Sequence, residues 1–157
     1  MDTRISRRAA LGQLAAVAVA ATSLGGRAFA QAGTRIVVYK EPTCGCCGKW
    51  VDHMKANGFV AAVTDGPMAP IKAQHKIPAS LQSCHTTLVG GYVIEGHVPA
   101  SDVRKLLAAK PKGIVGLTIP GMPQSAPGVD VVPFQPYDVL TFDASGKTAV
   151  FTRHSKA

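Results

Sequence analysis

Three thiols lie within four residues at Cys44-Gly45-Cys46-Cys47, and a fourth, Cys84, follows 37 residues later. Cys44 and Cys47 have the C-x-x-C spacing of a redox dithiol, and a helix starting there would favour thiolate through its dipole and free N–H groups. Cys46 fits a simple dithiol poorly. It adjoins Cys47, and adjacent Cα atoms stand about 3.8 Å apart across a trans peptide, below the roughly 4.4–6.8 Å that disulfides use. Any Cys44–Cys47 bridge would leave Cys46 crowding it. Converging thiolates also make a soft-metal site: they select Cu(I) or Zn, and a bridging sulfur can hold more than one Cu(I). Three chemistries therefore stand open, namely a metal site, a thiol–disulfide enzyme and two structural disulfides.

Two further residues offer matching donors. Met122 sits in the loop sequence Pro120-Gly121-Met122-Pro123, where helix packing does not explain it; its thioether is a soft ligand that cannot be lost to a disulfide. The alternative is simple gap filling. His97, in Glu95-Gly96-His97-Val98-Pro99, offers an imidazole suited to both copper oxidation states, against an alternative role as a surface or capping residue. His85 adjoins Cys84, but neighbours along a strand point to opposite faces; if Cys84 faces the cluster, His85 should not. Lys49 could favour thiolates electrostatically, and Trp50 reads as core.

The elements that must position these groups follow from patterning. Thr34–Tyr39 reads as a buried strand. A helix follows from Cys46 to Ala56, stopped by Asn57-Gly58. Phe59–Thr64 is a second strand, Pro67–Lys76 a second helix with Pro67 in its first turn, and Pro78–Gln82 a short helical turn. Thr86–Val89 and Tyr92–Glu95 form a hairpin across Gly90-Gly91, and Pro99–Ala109 is a third helix. Lys110–Pro136 reads as one long loop, with six prolines. Tyr137–Phe142 and Thr148–Thr152 close the chain as a C-terminal hairpin. The order predicts an α/β, thioredoxin-like sandwich with a long Pro/Gly-rich loop. In such folds the segment before the third strand faces the redox motif. Ser83-Cys84-His85 occupies that place, so Cys84 is expected to point at the cluster.

Composition bounds the rest. The chain has 157 residues, is 46% hydrophobic and 17% charged, and carries a net charge of +8. It is long enough for one core and too apolar for disorder. Residues 1–30 read as a cleavable signal peptide: Arg4, Arg7 and Arg8, an apolar stretch from Ala9 to Leu24, then Ala28-Phe29-Ala30. Ser6-Arg7-Arg8 with Leu11 resembles a twin-arginine signal, although Ala10 stands where that pattern prefers Phe. Four arginines and one aspartate fall within it, which leaves +5 for residues 31–157. The remaining lysines are scattered, and no aromatic residues interleave with them. This argues against a nucleic-acid surface. No other apolar run is long enough to span a bilayer. The expectation is a periplasmic domain over residues 31–157, with no membrane contact after signal cleavage.

The stretches VYKEPTCGCCGKWVDHMKANGF, LQSCHTTLVGGYVIEGHVPASDVRKLL, GLTIPGMP and PYDVL together resemble the CopG-like copper-resistance family across nearly all of residues 31–157. The combination of C-G-C-C with S-C-H-T is specific. The resemblance implies a periplasmic thioredoxin-like protein encoded with copper-resistance functions. It implies copper binding at Cys44, Cys46, Cys47 and Cys84, together with copper redox activity. The resulting expectation is a Cu(I)–thiolate protein, with Met122 and His97 closing a site that could be multinuclear. Its partners would be copper ions and other periplasmic copper-handling proteins. The rival readings are a thiol–disulfide oxidoreductase using Cys44 and Cys47 and a copper chaperone without turnover.

Overall fold

In a computed structural model, residues 33–156 are described; the expected signal segment and its cleavage point lie outside them. Strand β1 (Thr34–Lys40) leads into helix α1 (Gly45–Ala56), which returns through β2 (Phe59–Asp65). Helix α2 (Met68–Gln74) and a 3₁₀ turn (Ala79–Leu81) precede β3 (His85–Val89) and β4 (Tyr92–Glu95). Helix α3 (Ala100–Ala109), β5 (Ile114–Thr118), β6 (Tyr137–Asp143) and β7 (Thr148–His154) complete the order. The result is a mixed α/β fold on one seven-stranded sheet, ordered β2-β1-β3-β4-β5-β6-β7.

Helix α1 forms because its apolar residues recur at helical spacing: Cys47, Trp50, Val51 and Met54 are buried on one side. That side packs on Ile36 and Val38 of β1, Val89 of β3 and Ile94 of β4, together with Val103 and Leu106 of α3. Asn57 caps the helix, and Gly58 takes the left-handed φ of +83° that the turn into β2 requires. Helix α2 covers the opposite sheet face, where its Lys72 reaches Thr86 of β3 and Glu95 of β4. Strand β2 runs parallel to β1, β3 antiparallel to β1, and β4 antiparallel to β3. The C-terminal end of β1 and the start of α1 thus stand beside the start of β3, in register Lys40 to His85.

One expectation is corrected. Lys110–Pro136 is not a single loop, because Ile114–Thr118 forms β5, parallel to β4 and antiparallel to β6. Gly116 concealed it: glycine weakens a strand pattern. Here it is required, since a Cβ at Gly116 would lie 1.7 Å from the Val93 carbonyl oxygen. The irregular segment is therefore Ile119–Pro136, which crosses the start of α1. Smaller differences are that α2 is confined to Met68–Gln74 with Pro67 as its cap, and that β3 begins one residue earlier, at His85. Among the described residues, no helix is long and apolar enough to cross a membrane.

Candidate metal centre

The sulfurs of Cys44, Cys46, Cys47 and Cys84 lie within 4.8 Å of one another. Three come from the loop-to-helix junction because Cys44 caps α1 and Cys46 and Cys47 occupy its first turn. That turn carries no acidic residue, so the helix dipole there favours added negative charge on sulfur. Cys84 arrives from the residue before β3. A Cys44–Cys47 disulfide is formed, with Cα atoms 5.3 Å apart, while Cys46 and Cys84 are unpaired. There is thus one bridge and not two, and it is the C-x-x-C pair. Cys46 does crowd it, with Sγ 3.6 Å from that of Cys44.

The buried side of the site is nitrogen-rich. His97 Nε2 lies 3.0 Å from Cys84 Sγ, and His97 Nδ1 lies 2.7 Å from the Pro127 carbonyl oxygen. A carbonyl only accepts, so Nδ1 carries the proton and Nε2 presents a lone pair toward Cys84. Burial lowers the His97 pKa, against raising contributions from the Pro127 contact and Asp130. Burial, with a smaller contribution from nearby Cys46, pushes the Cys84 thiol up to about 11. In the metal-free protein Cys84 is therefore a thiol that can donate to His97, and metal binding there would release its proton.

His85 also reaches this side, which overturns the expectation from strand alternation. Its Nδ1 is 3.4 Å from Cys84 Sγ, and its ring packs 4.4 Å from Trp50 and 5.0 Å from His97, measured between centroids. Alternation does not separate the pair because β3 starts at His85, which leaves Cys84 outside the pleat. Burial holds the His85 pKa well below 6.5, helped by His97, Lys72 and Lys40. Its buried Nε2 has no hydrogen-bond partner among the described residues. Cys47, Cys84, His85 and His97 form a second donor group within 4.8 Å. The S-C-H-T sequence signalled His85 only through its adjacency to Cys84.

Met122 stands at the outer edge. Its Sδ is 4.0 Å from Cys46 Sγ, and the residue is 37% exposed. The segment that carries it is pressed onto α1: a Cβ on Gly128 would lie 2.7 Å from the Trp50 nitrogen and 2.8 Å from the Cys46 carbonyl oxygen. Trp50, fully buried, donates from Nε1 to the Val98 carbonyl at 2.9 Å and backs the site. Lys49 is exposed.

Fold and site together define a mixed α/β protein whose sulfur-rich helix start can bind a metal ion. A family model described as "Protein of unknown function, DUF411" matches residues 81–129, which include Cys84, His97 and Met122. Two solved structures, described as copper resistance protein copG, form 1 and form 2, match at 35% identity. They cover 78% of this chain and 98% of their own, with TM-scores of 0.72 and 0.71. No curated protein matches. The chain belongs to the CopG-like copper-resistance family.

Proposed function

We propose that this protein is exported to the periplasm, loses residues 1–30 there, and holds Cu(I) in a cysteine-thiolate site as part of copper resistance. The observation that carries this reading is the mutual reach of four cysteine sulfurs at the start of α1. Soft thiolates select Cu(I), and sulfurs this close can bridge more than one ion. Once the Cys44–Cys47 bridge is reduced, Cys44, Cys46, Cys47 and Cys84 would be the ligands, with His97 Nε2 and Met122 Sδ completing the donor set. The mixture of imidazole and sulfur suits an ion that changes between Cu(I) and Cu(II). Other periplasmic copper-handling proteins would exchange the ion with this one. A thioredoxin-like origin is supported by the β2-β1-β3-β4 order with parallel β1 and β2 and antiparallel β3 and β4.

Titration of the fully reduced protein with Cu(I), followed by X-ray absorption, tests this reading. The expected result is at least one Cu(I) per chain in sulfur ligation, with binding lost when Cys46→Ser and Cys84→Ser are combined. Substoichiometric copper, or unchanged binding in that double variant, overturns it. The Cys44–Cys47 disulfide favours a second reading, a thiol–disulfide oxidoreductase. That reading expects metal-free reduction of a protein disulfide, abolished by Cys47→Ser.

A further inference from the structure

A buried polar cluster lies beneath the Cys84 side of the site, on the sheet face away from α1. Glu95, the last residue of β4, is fully buried. Its Oε1 accepts from the Ser83 backbone N–H at 2.7 Å and pairs with Lys72 Nζ, and its Oε2 accepts from Thr86 Oγ1 at 2.7 Å. Lys72 comes from α2, is also buried, and contacts Thr86 Oγ1 at 3.3 Å. Both carboxylate oxygens are thus satisfied by directed donors from the segment that flanks Cys84 and His85. Two residues after Glu95 stands His97.

The two turns are also locked to each other directly. The Gly96 N–H donates to the His85 carbonyl at 2.9 Å. Gly96 takes a φ of +77°, and a Cβ there would lie 2.5 Å from Ser83 Oγ. The 3.0 Å approach of His97 Nε2 to Cys84 Sγ is the outer end of this clamp. A buried ion pair is poor evidence for a stability role, since well-packed apolar residues of similar volume often replace one without loss. The surrounding face, with Leu81, Val93 and Phe142, would accept them. What apolar residues cannot supply is direction.

We infer that Glu95 is a positioning residue, whose carboxylate holds the Ser83–Thr86 turn against the Glu95–His97 turn and so fixes where Cys84 Sγ and His97 Nε2 meet a copper ion. Lys72 balances its charge, and Thr86 contributes the second anchor. The inference rests on the reading of Cys84 and His97 as copper ligands, but it also makes a copper-free claim about the reach of Cys84.

The test compares two double variants in the full chain. Lys72→Met with Glu95→Leu removes the clamp and keeps the volume. Lys72→Met with Glu95→Gln keeps an acceptor for the Ser83 N–H and a donor for Thr86. Two quantities are read: the alkylation rate of Cys84 in reduced, copper-free protein by mass spectrometry, and Cu(I) affinity by competition with a chromophoric chelator. The Leu variant is expected to melt like the Gln variant, alkylate Cys84 about tenfold faster and bind Cu(I) about tenfold or more weakly. The Gln variant should return both quantities toward the parent. In a Cys84→Ser, His97→Ala background, the Leu–Gln difference in affinity should vanish. Equal behaviour of the two variants, or a difference that persists in that background, overturns the inference. If the Leu variant does not fold, Thr86→Val serves. Loss of its hydrogen bonds to Glu95 and Lys72 should shift both readouts in the same direction by about fivefold, and no shift overturns the inference. Failure of the parent to bind copper would defeat the function proposed above, while the alkylation comparison would still decide the clamp.

Discussion

Cys84 and His97 meet at 3.0 Å behind hydrogen-bonded turns, whereas Cys46 and Met122 meet at 4.0 Å where Met122 is exposed. On the buried side, each donor is itself held. Pro127 fixes the His97 tautomer, Trp50 packs on His85, and Glu95 ties down the residues around Cys84. On the outer side, Cys46 touches one sulfur of the disulfide and one thioether. The difference teaches a division of labour. The buried half is organised by hydrogen bonds and packing, while the outer half is held by few contacts. Preorganised ligands lose less freedom on binding, so the two halves should respond differently to substitution.

The largest expected effect lies in the wall behind the buried half. Trp50→Ala removes a fully buried indole and its bond to Val98, and should cost about 3–5 kcal/mol in chemical denaturation. A loss typical of a surface site would contradict the preorganised wall. Next comes the contrast between ligands. Cys84→Ser should weaken Cu(I) binding by about 100-fold, at the upper end of what a supporting residue alone is worth, while Met122→Leu should cost less than about tenfold. Chelator competition on the reduced variants checks this, and equal losses would break the comparison. Gly128→Ala tests how firmly the crossing segment is pressed onto α1. With φ at +88° and Trp50 and Cys46 backbone atoms in the way, it should destabilise by about 1–3 kcal/mol, read from the melting transition.

The smallest effect concerns acid. His53 on α1 accepts the Ala100 N–H at Nε2, 3.2 Å away, which supports the start of α3. Burial lowers its pKa from 6.5, with Arg104 lowering it further and Asp130 raising it. The unfolded chain therefore takes up the proton more readily than the folded one. The contribution is fully present above about pH 6.5 and declines as pH falls through that value. His53→Gln, which keeps an acceptor, should flatten the acid-side loss of stability between about pH 7 and 5 and leave stability near pH 8 almost unchanged. A slope equal to that of the parent would exclude His53 as its source.

Much of the architecture was legible because it is local. The spacing of Trp50, Val51 and Met54 marks a helix face, Asn57-Gly58 its stop, and Gly90-Gly91 a hairpin. β5 was not legible, because the reason for Gly116 is the Val93 carbonyl of a neighbouring strand, which no local pattern records. Strand alternation sets His85 opposite a cluster-facing Cys84, but that rule stops at a strand boundary that only the sheet defines. The convergence of Cys84 on the helix start was anticipated by analogy of topology and not from its spacing.

By itself, the sequence determined the donor chemistry. Soft sulfurs in C-G-C-C, a fourth cysteine before a strand, a thioether between prolines and an imidazole after a hairpin are properties of residue type and order. Only the tertiary structure decided how these donors divide: which cysteines pair, that His85 joins His97, and that Glu95 and Lys72 underpin Cys84. Those outcomes depend on distances between residues far apart in the chain. Such distances are set when the sheet aligns β1, β3 and β4 and packing excludes water from one side of the cluster.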